Sequence, residues 1–440
     1  MATEARAGTT GVGAEAVDLL RHLIRFDTTN PPGNEEAAQH DLRDRLSDAG
    51  WQCELLARDP ARPNLVAGLP GRSAGPRLAL ICHVDTVPAD PAEWSRDPWS
   101  GDLADGYVWG RGALDMKDQV ASETAACIAL AREGWRPDRG ELMLVVTADE
   151  ETGAHNGAQW LCQEHPEKMR CEMVVNEGAG LAFGFAGRRY FPVAIGEKGV
   201  FRFRLRTRGV AGHASLPAVG DNALLKLAPL LERLRTQPPR ETTEDTALFL
   251  ERLLGEPTAD LDGALDRLRA EDRLLATLLA EPMLGVTLAP TMARGSGKQN
   301  VIPSSAELLV DCRVPPEMGV EVVRERIGAV LGEGEFEVEF VEQVVGNRSP
   351  YEGPLAVAIE DWVAETEPGA AVLPIVMPGF SDSHWFRNLG ATVFGFCPQS
   401  VMSLAEAVPL IHGADERVAV ADVELMAGFF HWLPRRLLGG

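Results

Sequence analysis

Three apolar runs in this 440-residue chain each end in an acid or an imidazole: RLALIC leads into His83 and Asp85, ELMLVVTA into Glu150 and Glu151, and EMVVN into Glu177. A short apolar run bounded by turn residues reads as a buried strand, and open α/β sheets take their ligands beyond the carboxyl ends of their strands. Three separate segments therefore deliver metal-ligand chemistry to one sheet edge. The fold class this predicts is α/β, built on a mostly parallel sheet.

Asp115, from the glycine-rich stretch WGRGALDMK, joins the set, as does His412 from HGADE. Carboxylate oxygen and imidazole nitrogen suit a divalent metal such as Zn²⁺, and the absence of a thiolate argues against a structural zinc knuckle. Counted as His, Asp, Glu, Glu and His, five such ligands make two ions more natural than one. Taken singly, each residue has an ordinary reading: a histidine after a strand is usually just hydrogen-bonded, an aspartate among glycines is turn chemistry, and paired glutamates are a solvated face. Coincidence decides, because consecutive acids directly after ELMLVVTA put charge at the end of a buried sheet, where it is costly unless paired or metal-bound.

A net charge of -23 argues against nucleic acid and anionic membranes as partners. The first twenty residues lack the apolar core of a signal peptide and no run is long enough to span a bilayer, so a cytoplasmic location is expected. Seven cysteines without a CxxC pair fit reduced thiols. The length suggests two or three domain-sized units.

Strand and helix patterns alternate to about Arg188, and then the pattern changes. FRFRLRTR alternates strictly, which turns Phe201, Phe203 and Leu205 to a core and four arginines outward. A helical stretch over Asn222 to Arg235 and a leucine-rich segment from Thr246 to Leu279 follow. Strands at AELLVDCRV and FEVEFVEQVV then flank a helix through Arg324. The expected organisation is a catalytic domain of residues 1–197 and 347–440, with an inserted α/β sandwich, 198–346, carrying a helical insertion at about 240–285.

The motifs HVDTVP, WGRGALDMK, TADEETG, NEG and HGADE resemble, in order and wording, the dinuclear zinc amidohydrolases of acetylornithine deacetylase, succinyl-diaminopimelate desuccinylase, aminoacylase and carboxypeptidase G. The resemblance runs from LIRFDTTNPPGNE through IGEKG, QNVIP and DCRVPP to the last helix, and looks closest to the aminoacylase and carboxypeptidase S branch. It implies a zinc-peptidase catalytic domain with an inserted lid or dimerisation domain. By resemblance, Asp115 bridges two ions, His83 and Glu177 complete one site, and Glu151 and His412 complete the other. Glu150 matches the general base, and Asp85 a carboxylate that holds the His83 imidazole. His213 matches a histidine that stabilises the oxyanion across a dimer, while Asn300 and Arg313 match groups that hold a substrate carboxylate. In GFSDSHWFR, Gly379 and Asp382 match substrate-binding positions, but Ser383 and His384 stand where many relatives carry a small residue and an arginine. His384 reads equally as a ligand contact or a helix-start residue. Lys198 matches a carboxylate-binding position of some relatives, or simply pairs with Glu197.

The function so implied is hydrolysis of an amide next to a free carboxylate, with deacylation of an N-acyl amino acid by metal-activated water first and a dipeptidase or carboxypeptidase as the alternative. A catalytically silent metal-binding homologue is the reading of another class, and an intact Glu150 weighs against it. The cofactors expected are two divalent ions, Zn²⁺ before Co²⁺ or Mn²⁺. The partner expected is a small N-acyl amino acid or short peptide, with a homodimer through the lid.

Overall fold

The computed structural model describes residues 2–240, 243–255 and 260–440, with side chains from Gly11 onward. Two compact units divide the chain: Met1–Ile195 with Ser349–Pro374 and Ser381–Gly440, and Gly196–Arg348 with Ile375–Phe380. The short Ile375–Phe380 excursion has no counterpart in the sequence reading.

The first unit is built on a nine-stranded sheet. Its order is Gln52–Leu56, Asn64–Pro70, Glu141–Thr147, Arg77–His83, Met173–Asn176, Thr392–Gly395, Arg188–Glu197 and Ala371–Met377, with Phe183–Phe185 paired to Arg188–Glu197. The four strands from Glu141–Thr147 to Thr392–Gly395 run parallel, and antiparallel strands flank them on both sides.

Alternate residues of the central strands enter different cores. Leu78, Leu80 and Cys82 join Leu142, Leu144 and Val146 on one face, while Ala79 and Ile81 join Met143 and Val145 on the other. Burial on both faces is why these segments read as unbroken apolar runs rather than as alternating ones. Helices Ala2–Ile24, Lys117–Arg132 and Val420–Leu438 pack together over the first face. Trp362, Phe396 and Phe429 meet edge to face there, with centroids 5.0 to 6.1 Å apart. Ala158–Glu164 and Ser383–Asn388 cover the second face.

This winding places a crevice. From Arg77–His83 the chain crosses by the helix on the first face to Glu141–Thr147. It then crosses by the helix on the second face to Met173–Asn176, on the opposite side of the starting strand. Strand order thus reverses at the carboxyl end of Arg77–His83, the position where open α/β sheets bind ligands.

The second unit holds an antiparallel sheet of Phe336–Phe340, Gly199–Val200 continuing into Phe203–Arg208, Ser305–Val314 and Thr287–Arg294. Phe201, Phe203 and Leu205 pack with Leu308, Val310 and Cys312 against helix residues Leu230, Val323 and Ile327. The outward arginines are not left to solvent. Arg202 pairs with Asp311 at 2.8 Å, Arg206 with Glu307 at 2.8 Å and Arg208 with Glu337 at 2.9 Å. Each half-exposed pair adds little stability, but together they neutralise the face and set partners across the strands.

Thr287–Arg294 is a strand that sequence periodicity does not reveal. Pro290 interrupts it, its register shifts between Pro290 and Met292, and most of it is exposed, as edge strands tolerate. Helices Glu244–Leu254 and Leu261–Glu271 and the turns through Glu281–Met283 make up the described part of the helical insertion. Its residues 241–242 and 256–259 lie outside the described residues. No helix among the described residues is long and apolar enough to cross a membrane.

Candidate metal centre

The parallel register aligns His83 with Thr147, so the chain beyond both strands emerges at one level. The His83 ring is fixed by its Nδ1, which lies 3.0 Å from the Asp85 backbone carbonyl. A carbonyl can only accept, so Nδ1 carries the hydrogen and Nε2 presents a lone pair. That lone pair faces Asp115 Oδ1 at 3.2 Å and Glu177 Oε1 at 3.8 Å. The other oxygen of Asp115 lies 3.1 Å from His412 Nε2, which is also 3.2 Å from Glu151 Oε2. Two donor triads result, His83, Asp115 and Glu177, and Asp115, Glu151 and His412, each with its ligand atoms within 4.8 Å of one another. Asp115 belongs to both.

The donors fit divalent cations. A lone pair facing a carboxylate oxygen at hydrogen-bond distance is repulsive unless a cation or an extra proton lies between them. Glu151 Oε1 is buried without a hydrogen-bond partner. Burial, reinforced by negative neighbours, pushes Glu177 up to about 8. Burial and the Glu177 charge push Glu150 well above the usual carboxylate range. Hydrogen bonds to Asp115 and Glu151 lift His412 to about 10. Burial alone would lower His83, but its contacts with Asp115 and Asp85 outweigh that and raise it. Burial would likewise raise Asp115, yet the two histidines hold it below its ordinary value. The cluster recruits positive charge, and two divalent ions supply it without protons.

Glu150 stands apart from both triads, with Oε2 4.0 Å from His83 Nε2. Its backbone is held by Asp85. The Asp85 carboxylate lies 3.6 Å from His83 Nδ1, farther than that residue's own carbonyl. Its oxygens also accept the amide hydrogens of Glu150 and Glu151, both at 3.2 Å. Asp85 thus faces both the His83 ring and the glutamate pair.

Sequence reasoning gave no role to Glu416 and Arg111, although both lie inside quoted motifs. Buried Glu416 accepts from Arg111 Nη1 at 2.6 Å and from the amides of Gly112, Leu114 and Asp115 at 3.1, 2.7 and 3.2 Å. Arg111 also donates to the His412 carbonyl at 3.2 Å. One ion pair thereby locks the two loops that carry Asp115 and His412. The available signal was a pair of opposite charges in two glycine-containing loops.

Asp382 is buried, and its carboxylate accepts from Thr147 Oγ1 at 2.7 Å, while the next residue, Ser383, accepts from Asn176 Nδ2 at 2.9 Å. This ties Asp382 to the strand end that leads to Glu150 and Glu151. His384 is buried as well, and burial beside Arg387 lowers it to about 4, so it is neutral.

Within the second unit, His213 and Val301 are register partners, and Ala214 donates to the Asn300 carbonyl at 3.0 Å, so His213 and Asn300 lie together. Both are exposed. Arg313 donates from Nε to Asp311 at 2.8 Å. The buried ammonium of Lys198 donates to the Pro282 carbonyl at 2.9 Å, and burial lowers it to about 7. Gly379 belongs to the second unit and Asp382 to the first.

Comparison with known proteins agrees with this geometry. Residues 79–434 match the model of Peptidase family M20/M25/M40. The chain is 28% identical over 430 residues to succinyl-diaminopimelate desuccinylase of Cereibacter sphaeroides, covering 94% of this chain and 97% of that protein. It is 27% identical over 372 residues to the N-fatty-acyl-amino acid synthase/hydrolase of Xenopus tropicalis, covering 80% and 70%. Its fold is similar to that of an M20 metallo-carboxypeptidase from Sulfolobus solfataricus, with TM-score 0.73, 19% identity and coverage of 97% and 99%. With two donor triads at the reversal point of a parallel sheet and a family match over most of its length, the chain belongs to Peptidase family M20/M25/M40, hydrolases of amide and peptide bonds.

Proposed function

We propose that this protein removes the acyl group from an N-acyl amino acid, with Glu150 as general base and a free substrate carboxylate as the recognition handle. The observation that carries the reading is Glu150 itself, a carboxylate 4.0 Å from His83 of one donor triad and a member of neither. The relatives named as a desuccinylase and an N-acyl amino acid hydrolase favour an acylated substrate over a free-amino peptide. His83, Asp115 and Glu177 would hold one ion, and Asp115, Glu151 and His412 the other, with zinc proposed from the nitrogen and oxygen donors. When bound, two such ions polarise a carbonyl and lower the pKa of water towards ~7.

The remaining work falls to the chain. Glu150 takes a proton from the attacking water and returns it to the departing amine. The Ser215 backbone amide, which can only donate, lies 3.3 Å from His213 Nδ1. That leaves the hydrogen on Nε2, a donor suited to a developing oxyanion. Arg313 offers a planar fork suited to a carboxylate, a role the family resemblance gives also to Asn300. Seven free thiols fit a reducing compartment, and so a cytoplasmic protein.

Glu150→Gln keeps the shape and removes the base. Metal content by elemental analysis should stay at the wild-type level, while turnover falls about 10²-fold to 10⁴-fold. Unchanged turnover would reassign the base.

The carboxylate requirement is checked by mass-spectrometric assay of N-acyl amino acids, their methyl esters and dipeptides of the same terminal residue. The N-acyl acids should be hydrolysed and the esters spared. Arg313→Met should mainly raise KM, and His213→Ala should mainly lower kcat. Faster cleavage of the dipeptides would favour the peptidase reading.

A homodimer through the second unit, with His213 serving the partner's site, is proposed from the family resemblance. Mixing inactive His213→Ala with inactive Glu150→Gln protein should then restore part of the activity after subunit exchange. Demonstrated heterodimers without activity would mean that each chain closes its own site.

A further inference from the structure

The segment NPPGNE, Asn30 to Glu35, takes no part in the metal centre, yet it is tethered beside it. Asn30 donates its amide to the Thr86 carbonyl at 2.8 Å, and Thr86 donates back to Thr28 at 3.1 Å, which lays the segment along the chain that carries Asp85. Asn30, Glu35, Arg62, Asp85 and Asp149 are all buried. Buried charges this dense persist only when each has partners, and here the partners are specific.

Arg62 Nε lies 3.2 and 3.1 Å from the two Glu35 oxygens, and its Nη1 donates to Asp149 Oδ1 at 2.9 Å. The guanidinium lies flat against Gly33. A Cβ at Gly33 would fall 2.2 Å from Arg62 Nε and 2.3 Å from its Cζ, on a backbone with φ of +90°. Only glycine leaves room for the arginine. Asn30 Nδ2 reaches three acceptors, Asp85 Oδ2 at 2.8 Å, Asp149 Oδ1 at 3.1 Å and Thr152 Oγ1 at 3.0 Å. Both acids it holds act on the same turn. Asp85 carries the amides of Glu150 and Glu151, and Asp149 precedes Glu150 in a left-handed conformation, φ 68°, that a non-glycine residue keeps only when its surroundings enforce it.

We propose that Asn30, Gly33, Glu35 and Arg62 form a cradle that positions the general base. Arg62 holds Asp149 left-handed, Asn30 ties Asp149 to Asp85, and Asp85 sets the rotation of the Glu150 backbone, so that Glu150 faces the reacting water while Glu151 faces the metal. None of the four touches substrate or metal; they are positioning residues. The inference rests on the assignment of Glu150 as base.

The test uses full-length, metal-loaded protein carrying Asn30→Ala, Gly33→Ala, Arg62→Met or Arg62→Lys, each alone and Asn30→Ala also within Glu150→Gln. Displacement of a positioned group by about 1 Å can cost about 10²-fold. Asn30→Ala and Gly33→Ala should therefore lower kcat at least about tenfold, with KM within about twofold and metal content unchanged. Arg62→Lys should recover part of what Arg62→Met loses. Within Glu150→Gln, Asn30→Ala should add no further loss, because the group it positions is already disabled. Thermal melting identifies variants that are folded at the assay temperature, and Gly33→Ala and Arg62→Lys keep the test available if Arg62→Met does not fold. Unchanged kcat in folded Asn30→Ala and Gly33→Ala, loss of a metal ion, or an undiminished effect within Glu150→Gln would each overturn the cradle. Unchanged turnover of Glu150→Gln alone would instead sink the assignment of the base, which separates the two failures.

Discussion

Asp115 presents one oxygen to each of two imidazoles, 3.2 Å from His83 and 3.1 Å from His412, and the rest of the first unit is organised around that sharing. Asp115, Glu150, Glu151 and Glu177 converge at a largely buried sheet edge. Burial first, and the charge of their neighbours after it, pushes Glu150, Glu151 and Glu177 upward. Such a cluster is tolerable only if cations occupy it, and the two triads divide it into two positions of suitable chemistry.

Ligands that repel one another must be held from behind. The sheet supplies the coarse positions, since the parallel register brings the ends of Arg77–His83, Glu141–Thr147 and Met173–Asn176 together. Hydrogen bonds supply the fine ones. Glu416 with Arg111 locks the Asp115 and His412 loops, Asp85 fixes the Glu150 and Glu151 amides, and Asp382 braces Thr147. Breaking a buried ion pair such as Glu416 with Arg111 leaves an uncompensated charge, which costs about 3–5 kcal/mol. The frame and the ligands are thus parts of one electrostatic arrangement.

Much of this was legible in the sequence, for a physical reason. A strand buried on both faces is a continuous apolar run, so its end is conspicuous, and an acid or histidine there is more conspicuous still. His83, Glu150, Glu151 and Glu177 announce themselves in this way, and motif resemblance adds Asp115 and His412. What stayed hidden lacks periodicity. Arg62 reaches Glu35 and Asp149 across loops that no local pattern connects, and the Asp85 carboxylate also accepts the amides of Glu150 and Glu151 from another strand end. The Thr287–Arg294 strand was hidden by Pro290 and by its exposed edge position. The four arginines of the second unit read as outward from alternation alone, but their acidic partners lie on other strands.

The sharing of Asp115 is tested most directly by counting metal. Protein stripped with a chelator, reloaded with Zn²⁺ and freed of excess should bind two ions per chain by native mass spectrometry. Glu177→Gln, which touches one triad, should retain one ion, whereas Asp115→Asn, which touches both, should bind fewer than one. Saturation of the wild type at a single ion, or two ions retained by Asp115→Asn, would contradict a centre built on a shared carboxylate.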